Sequence, residues 1–210
     1  MPFYFKKACP EFYQAKTLPK IVTLPPVNYL AVRGKGDPNE EDGAYRQAIG
    51  LLYGLSYTIK MSKKSSFLIP GYYDYVVPPL EGLWQQSDIM GFDPKHKENF
   101  SRISLIRLPD FVTEEVFFQA REEAERKKKQ DFSKVEYLSL EEGLCVQMLH
   151  LGTYDSEPET VAKMDTFLWE QGYENDFGSN RLHHEIYLSD PRKTAPEKRK
   201  TIIRHPIRKQ

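Results

Sequence analysis

The chain is expected to fold as an α+β protein with antiparallel sheet, built from two copies of one small unit. Three observations predict this. Both halves run in the same order: strand, glycine turn, a helix start with proline or acid, an amphipathic helix, then further strands. The tight Pro70-Gly71 turn and the Pro78-Pro79 pair favour hairpins over the long crossovers of a parallel sheet. Hydrophobic residues form 40% of the 210 and charged residues 29%, which lets one domain bury a core without staples.

The elements follow in order. Five prolines (Pro2, Pro10, Pro19, Pro25, Pro26) make 1–27 an irregular lead-in with one short strand at 20–24. Residues 28–33 are strand-forming and stop at Gly34-Lys35-Gly36-Asp37-Pro38. A helix from about Asp42 aligns Tyr45, Ala48, Leu52 and Leu55 on one face. Strands are expected at 66–69 and 72–77 around Pro70-Gly71, and again at 101–107. Thr113 is placed to cap the next helix, with Glu114 and Glu115 in its first turn and basic residues at its end. That basic run reads as a solvated helix terminus rather than a nucleic-acid patch. In the second half, Gly143–Leu151 is a strand, and Ser156-Glu157-Pro158-Glu159 has the spacing of a capping box. Val161, Met164, Phe167 and Leu168 form the stripe of the helix that Gly172 ends, and 181–188 is a final strand.

Composition narrows the function. Lys+Arg and Asp+Glu both number 30, so no net charge draws the chain to nucleic acid. Cys9 and Cys145 make neither a disulfide framework nor a metal motif. No apolar run approaches a membrane span, and the first residues lack a signal peptide's apolar core, so a cytoplasmic location is expected. The aromatic excess, with 13 Tyr, 12 Phe and 2 Trp, suits cores and ligand cages alike. Gly34-Lys35-Gly36 lacks the rest of a dinucleotide or phosphate loop, and no G-x-S-x-G elbow is present. His183 and His184 are adjacent, hence on opposite strand faces, and no metal or other cofactor is expected.

Five stretches carry a resemblance: 28–39 (NYLAVRGKGDPN), 79–84 (PLEGLW), 106–115 (IRLPDFVTEE), 141–152 (EEGLCVQMLHLG) and 183–203 (HHEIYLSDPRKTAPEKRKTII). The chain resembles, along nearly its whole length, the GyrI-like family of small-molecule-binding proteins. The resemblance implies two fused β-α-β-β modules with pseudo-twofold symmetry. Their antiparallel sheets would form a ligand groove, with the helices packed on the other face. It implies one domain over 1–210, with halves of about 20–110 and 135–210 joined by a helix of about 113–130. Family members include effector-binding domains of multidrug-responsive transcription regulators and free-standing hydrolases that open the cyclopropane of DNA-alkylating natural products. With no DNA-binding region before the domain, the chain is similar to the free-standing members. Gln85 and Ser101-Arg102 stand where the family often has aromatic residues. The expected partner is a small aromatic or cationic molecule, with no direct nucleic-acid or membrane contact, bound by a monomer or weak homodimer.

Glu185 is the leading candidate. In a strand His183, Glu185 and Tyr187 share one face, and His184, Ile186 and Leu188 the other. If the second face is core, Glu185 points into the groove, as a counter-charge or general base; otherwise it is a solvated sheet residue. The family's pocket Glu falls on this position. Glu81 and Trp84 are the matching candidates from the first half, and Tyr73 and Tyr75 are expected to share a cage with His183 and Tyr187. Tyr154, at the turn before a helix, offers a hydroxyl donor. The expected chemistry is hydrolysis of a strained electrophile such as a cyclopropyl-dienone alkylator; the alternative is a scavenger or sensor that binds without turnover.

Overall fold

The computed structural model describes residues 1–41, 43–65, 67–86, 96, 99–178 and 181–210. Strand β1 (Phe3–Tyr4) and the short helices α1 (Phe5–Ala8) and α2 (Pro10–Tyr13) begin the chain, followed by β2 (Lys20–Leu24) and β3 (Val27–Lys35). Next come α3 (Ala44–Lys60), β4 (Tyr75–Val76), β5 (Leu80–Gln86), β6 (Phe100–Arg107) and α4 (Glu114–Lys128). The rest is β7 (Glu136–Leu140), β8 (Gly143–Leu151), α5 (Glu157–Glu170), β9 (Tyr173–Asn175), β10 (His183–Tyr187) and β11 (Lys200–Lys209).

Among the described residues nine strands form one antiparallel sheet in the order β2-β8-β11-β10-β5-β6-β3-β7, with β9 pairing β11. The mixed α+β class and antiparallel sheet are thus as the sequence predicts. Units β3-α3-β5-β6 and β8-α5-β10-β11 repeat one order and meet at a β5–β10 seam. β2 lies in the first expected half but pairs with β8 of the second unit, while β7 pairs back to β3 of the first.

Register assigns the two faces. Trp84 lies opposite His183 and Gly82 opposite Glu185 across the seam, so these positions share a face. Through Gly82–Ser104, Ser104–Val32, Glu185–Ile203 and Ile203–Met148 that face extends to residues under α3 and α5. Leu51, Leu52, Leu55 and Ile59 of α3 bury against Leu30, Val32 and Ile106, and Met164 and Leu168 of α5 against Val146, Met148 and Ile203. The opposite face carries Glu81, Leu83, His184 and Ile186, covered partly by Phe5, Phe12 and Tyr13 of the lead-in. One expectation is therefore corrected. The helices α3 and α5 stand on the same face as Glu185, and the short N-terminal helices close the other.

Several local predictions hold. Thr113 accepts from Val116 N at 3.3 Å, Gly172 adopts a left-handed φ of 72° at the end of α5, and Arg126, Lys127 and Lys128 fall in the last turn of α4. Others fail. The Ile69–Tyr72 segment closes a turn, but 67–69 is not strand, Ser66 lies outside the described residues, and of 72–77 only Tyr75–Val76 is extended and paired. Asp42 also lies outside them; α3 starts at Ala44. Ser156 makes no capping bond, because its hydroxyl donates to the Thr153 carbonyl inside a preceding helical turn. The lead-in is packed rather than loose, with Phe5, Phe12 and Tyr13 at most 3% exposed. Strands β1, β5, β7, β9 and β11 are additions to the sequence reading.

Candidate functional site

A groove of about 2140 Å³ runs along the helix-bearing face, between α3 and α5. The seam makes its floor. Trp84 comes from β5 and His183, Glu185 and Tyr187 from β10, each forced to this side by strand alternation. Tyr45, Ile49 and Tyr53 of α3 form one wall; Tyr154, Glu157 and Val161, in and just before α5, form the other. Tyr45, which the sequence places in the apolar stripe of its helix, instead turns to Trp84, ring centroids 5.8 Å apart.

The polar groups converge on Glu185. His183 Nε2 lies 3.1 Å from Glu185 Oε1, and His183 Nδ1 lies 2.7 Å from His205 Nε2. Trp84 Nε1 donates to the Tyr187 hydroxyl at 2.9 Å, and that hydroxyl interacts electrostatically with Glu185 and Tyr45. Burial, followed by the charge of Glu185, pushes the Tyr187 and Tyr45 hydroxyls up, so both remain donors. Tyr154 stacks edge-on to Tyr187 at 6.0 Å, with the Arg199 guanidinium 5.7 Å from the Tyr154 ring centroid. Burial, then Glu185, raises the Tyr154 hydroxyl as well.

Facing Glu185 is Glu157, the first residue of α5, only 6% exposed and with Oε1 bonded to nothing among the described residues. Burial first, then Glu185 and Asp155, hold its carboxyl well above the usual carboxylate range. One donor atom each of Glu157, His183 and Glu185 lie within 4.8 Å of one another. An imidazole nitrogen and two carboxylate oxygens would suit a divalent cation. They equally make a proton-handling set, in which one carboxyl keeps a proton next to another that serves as base.

Glycine at 82 makes the floor possible. A Cβ there would sit 2.6 Å from Trp84 Nε1 and 3.0 Å from the Tyr187 hydroxyl. Gly82→Ala is expected to break the Trp84–Tyr187 bond at a cost of about 1–3 kcal/mol, as overpacked sites do. Thermal melting and the emission of Trp84, the buried one of the two tryptophans (Trp169 is 75% exposed), would report it.

Not every expected residue is here. Trp84, Tyr154, His183, Glu185 and Tyr187 come together, and Gln85 lines the groove beside Trp84. Glu81 lies on the opposite face, where Tyr13 donates to it at 3.0 Å and His184 Nε2 approaches to 3.0 Å. Tyr73 and Tyr75 do not reach the groove. Tyr75 is 2% exposed among Phe5, Phe111 and the underside of α3, and Tyr73 packs on Phe3 and Phe111. They miss it because 72–77 is mostly not strand, so their alternation does not mirror that of β10. Three residues join the site without a sequence signal that marks them for it: Glu157, His205 and Tyr45. Glu157 reads in the sequence as a helix-start charge, and His205 sits in a strand that its lysines and arginines disguise.

Behind the floor, Glu81 belongs to a buried ionic cluster. Arg204, 1% exposed, contacts Glu142 Oε2 at 2.5 Å and donates to the Phe12 carbonyl at 2.8 Å and to Gln147. His184, fully buried, contacts Glu142 Oε1 at 2.8 Å. Burial alone would raise the Glu142 carboxyl, but Arg204 and His184 hold it down at about 2. Burial would likewise lower His184, but Glu142 and Glu81 lift it to about 9.

An aromatic groove with carboxyls on its floor, cut between two helices on an antiparallel sheet, defines a small-molecule-binding protein. The model of the GyrI-like small molecule binding domain matches residues 18–208, and the chain belongs to that family. A Listeria innocua protein described as a hydrolase is 45% identical, with a TM-score of 0.89 over 98% of this chain and 100% of that one. A second Listeria innocua hydrolase is 47% identical (TM-score 0.90, 99% and 100% covered). An uncharacterized conserved protein from Listeria innocua is 48% identical (TM-score 0.92, 98% and 100% covered). No curated protein matches the chain.

Proposed function

We propose that this protein binds a flat, strained electrophile in the groove and opens it with water, the substrate class being cyclopropyl-dienone DNA alkylators. The observation that carries this reading is the facing pair, Glu185 beside His183 and the buried Glu157, whose Oε1 has no partner among the described residues and whose carboxyl burial pushes up. A water between them donates one hydrogen to Glu185 and the other to Glu157 Oε1, leaving its lone pair aimed at the substrate. As the water oxygen bonds to the cyclopropyl carbon, Glu185 takes its proton and the strained C–C bond breaks. The electron pair passes through the ring to the carbonyl oxygen, which Tyr154 supports by a hydrogen bond and which takes a proton from solvent to become a phenol, while Glu185 returns its proton to solvent. Substrate plus water gives product, with no redox change.

The Listeria hydrolases support an enzyme in general terms. No helix among the described residues is long and apolar enough to cross a membrane. Both cysteines are free, which suits a reducing compartment, and the cytoplasm is the proposed location. A second reading, a scavenger that holds planar or cationic molecules without turnover, is favoured by the groove's size, above the roughly 300–1,000 Å³ of ordinary ligand pockets.

The test is incubation of the pure protein with such an alkylator, following absorbance and product mass with and without a chelator. Many turnovers with gain of one water, unaffected by the chelator, are expected. Binding without turnover would leave the scavenger reading, and loss of activity on chelation would assign Glu157, His183 and Glu185 to a metal instead.

A further inference from the structure

His205, on β11, is 2% exposed and lies behind His183. Its Nε2 is 2.7 Å from His183 Nδ1, while its own Nδ1 is buried without a partner among the described residues. A neutral imidazole has a single N–H, and the two ring nitrogens offer two places for it. If His183 donates from Nδ1, the His205 proton must sit on Nδ1, and a buried N–H is stranded. If His205 donates from Nε2, only a lone pair is stranded, which buried structures tolerate better. His183 then carries its proton on Nε2, facing Glu185 Oε1 at 3.1 Å, and every N–H in the line is used.

We propose that His205 is a positioning residue, donating from Nε2 to His183 and thereby fixing His183 in the tautomer that donates to Glu185. The rest of its surroundings agree. Phe177, from the segment between β9 and β10, packs edge-on to its ring at 4.9 Å and offers no competing acceptor. Pro206 follows at the point where β11 leaves β10 for β9, which holds the His205 backbone at that junction. The consequence for Glu185 rests on the hydrolytic reading above; the tautomer does not.

Nitrogen-edited NMR of the full chain, which has five histidines, reads the tautomers directly. Both His183 and His205 are expected protonated at Nε2 alone. His205→Leu should release His183 from that single tautomer and lower kcat roughly 10–100-fold with little change in KM, the usual scale for such outer partners. His205→Gln, which keeps a side-chain N–H, should restore both. An Nδ1-protonated His183 in the wild type, or a His183 tautomer unmoved in His205→Leu, would overturn the proposal. The NMR result stands whether or not any alkylator is turned over, so failure of the hydrolytic reading is separately visible. If His205→Leu does not fold, the wild-type tautomers and His205→Gln decide.

Discussion

Glu185→Gln is expected to lower turnover by roughly 10²–10⁴-fold, the scale of a lost general base, while leaving the melting temperature and the binding of neutral ligands close to wild type. The amide keeps the shape that His183 and Tyr187 surround, but it cannot accept the water's proton. Glu157→Gln should behave differently. Glutamine is isosteric with a protonated carboxyl and keeps an oxygen for the water, so turnover should fall by no more than about tenfold. Stability should rise at neutral pH. The folded Glu157 holds a proton that the unfolded chain releases above about 4.5, so this residue costs stability as pH climbs. Steady-state kinetics and urea unfolding of the two variants check the pair, and equal kinetic losses would contradict the division of roles.

Glu142→Gln should be the most destabilising of the single substitutions considered, at about 3–5 kcal/mol, because it leaves Arg204 and His184 buried without their counter-charge. The wild type's pH dependence follows from the same cluster. Glu142, held at about 2 against 4.5, contributes stability above 4.5 that is lost as pH falls toward 2. His184, lifted to about 9 from 6.5, contributes stability below 6.5 that is lost as pH rises toward 9. Urea unfolding across pH is therefore expected to show the cluster's contribution greatest between about 4.5 and 6.5, with both of its slopes flattened in Glu142→Gln. An unchanged pH profile in that variant would show that the cluster is not the source.

Period-two alternation in 183–187 is enough to send Glu185 and His184 to opposite sides, since a strand has only two faces. Thr113 and Gly172 are legible because a cap and a left-handed terminus are local chemistry. What escapes a sequence reading is non-local. β11 carries Arg204, His205 and Pro206 in its interior, residue types that argue against a buried strand until their partners from β8, β10 and the lead-in are known. Glu81 is expected in the groove only while 80–86 is not recognised as a strand; its alternation sends Glu81 to the far face, where it meets His184. Glu157 cannot be matched to Glu185 from sequence because 28 positions of chain separate them and only the sheet brings α5 over β10.

The most direct test of Glu185 as the base is a single turnover of a cyclopropyl-dienone alkylator in heavy-oxygen water, with products and protein both examined by mass. One heavy oxygen is expected in the released product, none in the protein, and no product on this timescale from Glu185→Gln. Heavy oxygen in the Glu185 carboxylate, or substrate carbon attached to it, would show that Glu185 attacks the cyclopropane itself and would contradict its role as the base that activates water.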